Sequence, residues 1–423
     1  MNRLVLIGNG FDLAHGLRTS YMDFIFWYWE KVVYKLRGCY CNKWEDKLCT
    51  FVLNDTQATW NGFMFNTGAT FNFHKGYEII DMISSDKDNF NVKYSMLFGR
   101  IIDSLETKGW VDIENDYYSL LYTPLQLHEQ TPPKELNDQL DYIKKQLADY
   151  LSEVQKCALD KSIVNKELNK SIFAPIKSCE IAIGSKNSLS VFVTNRLNDP
   201  FFRLKDLSDR WGKNWDSTTI SIISKQIKEL KESLLYQNIE DLIENEIPEE
   251  FLLPDNMMFL NFNYTEIADQ YLIDSKFVVN HIHGSSNNVE GMIFGYGDEL
   301  DENYKKIQNL NNNEYLKNSK SVRYLESDNY RKMLSYIESG PYQIYIMGHS
   351  CGNSDRTLLN TLFEHKNCVS IKPFYYEKDN GDDTYLEMVQ NISRNFTDMK
   401  LMRDRVVNKE FCEPMPQVKN LDF

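Results

Sequence analysis

Short apolar runs lie near both ends of the chain. Leu4–Ile7 is a continuous apolar run, typical of a strand buried on both faces, and Gly8-Asn9-Gly10 follows it directly. Further runs follow Pro254, namely Met257–Phe262, Phe277–Val279, Gly291–Phe294, Ile344–Met347 and Val369–Ile371. They alternate with helical stretches such as Thr265–Leu272, Asn329–Glu338 and Arg356–His365. This alternation predicts an α/β fold, with a parallel sheet that the first strand joins and helices on its faces.

Helical periodicity dominates the middle of the chain. Apolar positions recur every three or four residues from Pro133 to Val154, and again from Ile220 to Ile247, where Pro248 ends the pattern. Residues 19–110 carry aromatic-rich helical patterning. We therefore predict three parts: residues 1–114 hold the first strand, the glycine loop and N-terminal helices; residues 115–250 form a helical insertion; and residues 251–423 complete the sheet domain.

Composition and charge narrow the class of protein. The 423 residues include 47 Lys and Arg against 61 Asp and Glu, a net charge of −14, which disfavours direct nucleic-acid binding. The N-terminus lacks the pattern of a signal peptide, and the most apolar stretch is far shorter than a membrane span, so we expect a cytoplasmic protein that does not bind membranes. The eight cysteines lack C-x-x-C spacing, which predicts reduced thiols and no zinc ribbon.

The glycine loop after the first strand is the first candidate site. In Gly8-Asn9-Gly10-Phe11-Asp12, glycine permits close approach of a pyrophosphate to the backbone at the start of a helix. The dehydrogenase fingerprint G-x-G-x-x-G requires a third glycine, and Leu13 stands there, which disfavours hydride transfer. A tight turn that needs glycine only for its backbone angles is the alternative.

Asn263 is the second candidate, because Asn261-Phe262-Asn263-Tyr264-Thr265 follows a predicted strand. Ligands bind at this end of the strands in open parallel sheets, and an asparagine there can orient water or a ribose hydroxyl. The alternative is that Asn263 caps the next helix.

His281 and His283 form an H-x-H pattern that runs into Gly284. In a strand they point to the same face, so they could hold a metal ion together with Asp298 or His349. Alternatively, one imidazole contacts a ribose and acts as acid or base. A third alternative is that at least one of them is a buried, hydrogen-bonded histidine of the core.

Gly348-His349-Ser350-Cys351-Gly352 formally matches the G-x-S-x-G pattern of esterases, with Ser350 as nucleophile. In those enzymes the acid and the histidine follow the serine in chain order. Here His365 is the only histidine that follows Ser350. It lies too close to Ser350 in the chain to leave room for an acid and a separate histidine loop, so the esterase interpretation is disfavoured.

Taken together, LVLIGNGFDLAHGLRTSYMDF, FLNFNYT, VVNHIHG, IFGYGDE and YIMGHSCGNSD, in that order, resemble the bacterial abortive-infection AbiH family of phage-defence proteins. This family is similar to a divergent branch of the sirtuin-like NAD-binding fold, so the resemblance implies a Rossmann-like parallel sheet with an NAD site. It implies Asn263 and His283 as the catalytic pair. It also implies a set of NAD-binding residues, Gly8, Asn9, Gly10, Phe11, Asp12, Gly284, Gly348, His349, Ser350 and Asp355, with Gly348, Ser350 and Asp355 on the adenosine side.

The resemblance implies an antiphage abortive-infection protein that hydrolyses NAD to nicotinamide and ADP-ribose without a metal. The chain lacks the four-cysteine zinc module of sirtuins, which argues against protein deacylation. Two alternatives remain: a non-catalytic sensor of NAD or ADP-ribose, and a metal-dependent hydrolase built on His281 and His283. Expected partners are NAD and either a second copy of the chain or another defence protein.

Overall fold

A computed structural model describes residues 1–39, 41–54, 64–67, 70–73, 75–127, 132–159, 164–199, 215–233, 239–271 and 277–417. Its strands are β1 (Asn2–Ile7), β2 (Lys43–Glu45), β3 (Cys49–Leu53), β4 (Met64–Thr67), β5 (Thr70–Phe73), β6 (Phe90–Tyr94), β7 (Met257–Asn261), β8 (Phe277–His281), β9 (Tyr342–Met347) and β10 (Cys368–Phe374). Its α-helices are α1 (Asn9–Ala14), α2 (Tyr21–Cys39), α3 (Gly76–Ser85), α4 (Met96–Lys108), α5 (Ile113–Leu127), α6 (Pro133–Leu159), α7 (Lys166–Ile172), α8 (Lys186–Asn198), α9 (Ser217–Ser233), α10 (Ile239–Asn245), α11 (Glu302–Asn309), α12 (Lys320–Arg323), α13 (Asn329–Glu338), α14 (Arg356–Phe363), α15 (Tyr385–Arg394) and α16 (Met399–Arg405).

The central sheet is parallel throughout, with the strand order β8-β7-β1-β9-β10. Ile7 at the end of β1 is in register with Asn261 on one side and with Met347 on the other. Every residue of β1, β7, β9 and β10 is buried, as expected for strands covered on both faces. The predicted α/β class, the parallel sheet and the place of the first strand in it are confirmed.

The order of the strands reverses next to β1. From β1 the chain builds one side of the sheet through β7 and β8, and then returns to the other side of β1 to add β9 and β10. At such a reversal the loops after the two adjacent strands leave a crevice at the carboxyl edge, which is where ligands bind in open α/β sheets. Here those loops follow β1 and β9.

The chain folds into two compact units, each assembled from separate stretches of sequence. The first unit comprises Met1–Leu17, Cys157–Ser285 and Tyr324–Phe423, and therefore holds the whole parallel sheet. Helix α13 packs on β8, whereas α14, α15 and α16 pack on β10. A second apolar cluster of this unit brings together residues of α8, α9 and α10 with Met1 and Val369. Residues 115–250, the predicted insertion, contribute to both units.

The second unit comprises Arg18–Lys156 and Ser286–Arg323. It contains an antiparallel sheet in the order β2-β3-β6, whose aromatic core includes Trp29 of α2, Phe51 of β3 and Phe98 of α4. The helical patterning over residues 19–110 did not indicate these strands. The alternating burial of β3 is the period of a strand, but it covers too few residues to stand out among long helices.

Several predicted elements differ from the structure. Gly291–Phe294 is not a strand, since Val289–Gly291 is a 3₁₀ helix whose Gly291 N–H donates to the side chain of Asn288. Thr265–Leu272 is a 3₁₀ helix over Ile267–Tyr271, and Leu272 lies outside the described residues. The pattern from Ile220 to Ile247 forms two helices, α9 and α10, and residues 234–238 between them lie outside the described part.

Two cysteines also depart from expectation. Cys39 and Cys41 form a disulfide, with Cα atoms 5.2 Å apart, within the range that a disulfide spans. The expectation of reduced thiols is therefore wrong for this pair.

Within the described ranges, none of the helices combines the length and the apolar character needed to cross a membrane.

Candidate functional site

The loops after β1 and β9 touch through their backbones. The N–H of Gly8 donates to the carbonyl of Met347 at 3.1 Å, and the N–H of Gly10 donates to the carbonyl of Gly348 at 2.9 Å. A Cβ atom on Gly348 would lie 2.1 Å from the nitrogen of Phe11, and the φ of Gly348 is +74°. Gly8 and Gly10 do not have a positive φ, so they are needed for the contact between the two loops and not for their backbone angles, contrary to the tight-turn alternative. A direct contact of Gly8 and Gly10 with a ligand stays a prediction.

The short helix α1 buries the side chains of Phe11 and Asp12. The Phe11 ring lies against the rings of His15 and Tyr271, with centroids 4.8 and 5.4 Å away. His15 donates from Nδ1 to the Phe11 carbonyl and accepts the Tyr271 hydroxyl at Nε2, 2.6 Å away. Burial lowers the pKa of His15, so this imidazole is neutral and holds α1 in place. Asn9 is partly exposed.

Asp12 is a fully buried carboxyl group next to the turn Asn261–Thr265, which follows β7 and is called the strand-end turn below. Its Oδ2 accepts the Thr265 hydroxyl at 2.6 Å, while Oδ1 has no hydrogen bond to any described residue. Burial raises the pKa of Asp12 to about 7, although the Thr265 and Asn263 side chains act in the opposite direction. This group can therefore exchange a proton near neutral pH.

Asn261 shapes the turn that positions Asn263. Its Oδ1 accepts the N–H of Asn263 at 3.0 Å, and its Nδ2 donates to the carbonyl of Thr265 at 2.9 Å. The side chain of Asn263 then donates to the carbonyl of Gly8 at 3.0 Å. Asn263 does not cap a helix, because the 3₁₀ helix begins only at Ile267.

His281 and His283 have separate partners. Nδ1 of His281 lies 3.2 Å from the amide of Asn261, and its Nε2 lies 3.0 Å from Oδ2 of Asp269. Nε2 of His283 lies 3.1 Å from the Tyr324 hydroxyl and 3.2 Å from Oδ1 of Asp355. Strand β8 ends at His281, so strand alternation does not carry His283 to the same face.

This separation weakens the interpretation of H-x-H as a metal site. In the part of the chain that the structure describes, no group of three or more His, Cys, Asp or Glu side chains could hold a metal ion. The two histidines have different direct partners, and of the two only His283 faces a residue of the loop after β9, Asp355.

The loop after β9 brings His349 and Asp355 to His283. Nε2 of His349 lies 3.6 Å from Oδ2 of Asp355, whose other oxygen faces His283. The Phe262 ring packs on both imidazoles, with centroids 5.2 Å from His283 and 4.1 Å from His349. Gly284, which follows His283, has a φ of +80° and turns the chain away from β8.

Ser350 has an exposed side chain, and its carbonyl accepts a hydrogen bond from Asn391 of α15. The strained residue of this turn is Cys351, with a φ of +54°, and burial raises the pKa of its thiol. A nucleophile elbow places the reactive side chain on the strained residue and exposes it. Neither Ser350 nor Cys351 meets both conditions.

A connected path of contacts joins the predicted pair. Asn263 bonds Gly8, Gly8 packs against His349, His349 faces Asp355, and Asp355 faces His283. Asn263, His283, His349 and Asp355 are exposed by 9%, 3%, 6% and 8%, so the path lies just below the surface. The sequence did not indicate that the side chains of Asn261, Thr265 and Tyr324 hold Asn263, Asp12 and His283 in place. Tyr324 lies far from the motifs in the chain, and no pattern indicated it.

The fold and the site define an α/β protein with a polar site of histidine, asparagine and aspartate at the carboxyl edge of a parallel sheet. A family model described as bacteriophage abortive infection AbiH matches residues 4–376. The chain belongs to the AbiH family, and membership implies a role in abortive infection by bacteriophage. No curated protein and no solved structure matches the chain.

Proposed function

We propose that this protein binds NAD at the carboxyl edge of the sheet and hydrolyses it to nicotinamide and ADP-ribose during phage infection in the cytoplasm. The path from Asn263 through Asp355 to His283 is the observation that carries the proposal, since it joins both predicted catalytic side chains. The strand order β8-β7-β1-β9-β10 supports a Rossmann-like, NAD-binding assignment, because dinucleotide-binding sheets reverse their order in this way. A sirtuin-like relationship is part of the same proposal.

In the proposed reaction, the bond between the ribose C1′ and the nicotinamide nitrogen breaks, and its electron pair leaves with nicotinamide. A water oxygen bonds to C1′, and its proton passes to His283 directly or through a ribose hydroxyl. Asn263 orients the water or the ribose. His283 then releases its proton to solvent, so the products are nicotinamide, ADP-ribose and one proton.

The test is the release of nicotinamide from NAD by purified protein, with and without extract of phage-infected cells as a source of activator. We expect His283→Ala and Asn263→Ala each to lower the rate by about 10²- to 10⁴-fold, the usual contribution of an acid–base or orienting group. His365→Ala is the matched control, because this imidazole pairs with Glu338 instead of Asp355. Parental rates in folded His283→Ala and Asn263→Ala proteins would contradict the proposal.

A non-catalytic NAD sensor is the second candidate. The observation that favours it is the low exposure of His283 and His349, at 3% and 6%, which restricts access of water. A sensor binds NAD without releasing nicotinamide. Calorimetric titration with NAD beside the nicotinamide assay separates the two functions.

A further inference from the structure

Asp355 lies between two imidazoles. Its Oδ1 is 3.2 Å from Nε2 of His283, and its Oδ2 is 3.6 Å from Nε2 of His349. The resemblance placed this residue on the adenosine side of an NAD pocket, whereas the geometry associates it with His283. Asp355 also precedes the first residue of α14, where the helix dipole favours a negative charge.

The tautomer of a neutral His349 follows from its contact with the backbone. The N–H of Cys351 donates to Nδ1 of His349 at 3.0 Å. A backbone N–H can only donate, so Nδ1 accepts and the ring proton of a neutral His349 is on Nε2. This N–H faces Oδ2 of Asp355, 3.6 Å from Nε2.

Asp355 imposes the same requirement on His283. An ionised carboxylate only accepts hydrogen bonds, so Nε2 of His283 carries a proton when it bonds Asp355, and the Tyr324 hydroxyl, 3.1 Å from the same nitrogen, then also acts as an acceptor. The nitrogen of a neutral His283 that takes up a proton is then Nδ1. A carboxylate fixes the tautomer of a histidine base in this way in serine hydrolases.

The loop that carries His349 and Asp355 is itself held in place. Asn391 donates to the carbonyl of Ser350 at 3.0 Å, and Asn395 donates to the carbonyl of Cys351 at 2.9 Å. These bonds stabilise the positive φ of Cys351. The backbone thus orients His349, whose Nε2 faces Asp355.

We infer that Asp355 is a positioning residue that fixes the Nε2–H tautomer of His283 and makes Nδ1 the nitrogen that accepts the proton. This inference rests on the proposed function where it concerns turnover. The tautomer itself does not depend on NAD, so the two can be tested separately.

The first experiment measures kcat and KM for NAD. Asp355→Asn keeps the shape of the side chain but removes the obligate acceptor, so kcat falls by about 10²- to 10⁴-fold while KM changes by less than about threefold. Asp269→Asn is the matched control, because it alters the carboxylate beside His281 and leaves kcat at the parental value. A parental kcat in Asp355→Asn overturns the inference for turnover.

The second experiment records ¹⁵N shifts of the histidine side chains in protein without NAD. We expect His283 and His349 as Nε2–H tautomers, and we expect Asp355→Asn to move His283 towards Nδ1–H while His349, held by Cys351, keeps its tautomer. Asp355→Glu, which retains a carboxylate, should keep the Nε2–H form, and Asp355→Ala, which removes the acceptor, replaces Asp355→Asn if that variant is unstable. An Nδ1–H His283 in the parental protein overturns the inference even if NAD is hydrolysed, whereas absence of hydrolysis with the expected tautomers overturns only the proposed function.

Discussion

At the scale of single residues, the carboxyl group of Asp12 connects the glycine loop to the strand-end turn. It is 1% exposed, and one of its oxygens has no hydrogen bond to the described residues. Such a group costs folding free energy when it is ionised, because burial penalises the charged form. The contribution of Asp12 to the free energy of unfolding therefore depends on pH.

We expect Asp12→Asn to remove a contribution to the free energy of unfolding that falls as pH rises between about pH 4 and 7. In this range the parental Asp12 binds a proton in the folded state but not in the unfolded state, so its contribution to stability falls as pH rises, by up to about 1.4 kcal/mol per pH unit. Urea denaturation of both proteins across this range measures the difference. Subtracting the two curves removes the opposite effect of His15, whose lowered pKa reduces stability as pH falls. Parallel curves would show that Asp12 ionises normally.

At the scale of elements, the contact between the loops after β1 and β9 depends on Gly348. Gly348→Ala places a methyl group 2.1 Å from the nitrogen of Phe11, in addition to the positive φ. We expect a loss of more than about 3 kcal/mol in the free energy of unfolding, since strain and overlap add. Gly381→Ala is the control: its φ is +85° but nothing lies within 4 Å, so only the backbone cost of about 1–2 kcal/mol applies. Equal losses in urea denaturation would show that the loops separate easily.

The sequence was informative where one pattern covered a whole element. The apolar run Leu4–Ile7, the helical spacing from Pro133 and the boundaries Asn329–Glu338 all correspond to observed elements. It was uninformative where tertiary contacts decide the structure, as at Gly291–Phe294, where the Asn288 side chain holds a 3₁₀ turn.

The same limit applies to the site. Motifs at strand ends indicated Asn263, His283 and Asp355, but the pairing of Asp355 with His283 depends on how β8 and the loop after β9 fold together. Tyr324 bonds His283 across 41 positions of sequence, and no local pattern could indicate this contact.

At the scale of the whole molecule, membership in the AbiH family makes infected cells the relevant test. We expect cellular NAD to fall after phage challenge in cells that carry the parental protein and to remain unchanged with His283→Ala. Asp269→Asn should behave like the parental protein, because Asp269 faces His281. Chromatography of cell extracts at intervals after infection measures NAD. An equal fall with His283→Ala would assign the loss of NAD to another enzyme.

The position of β1 between β7 and β9 also governs when the site can form during synthesis. β1 ends at Ile7, yet its sheet partners begin at Met257 and Tyr342. At bacterial rates of about 5–20 residues per second, β1 leaves the ribosome roughly 10–50 s before its first partner is made. Asp355 and His349 are made later still. A chain that ends before Asp355 thus has no assembled His283–Asp355 network. The complete site exists in the host cell only in chains translated past the loop that follows β9.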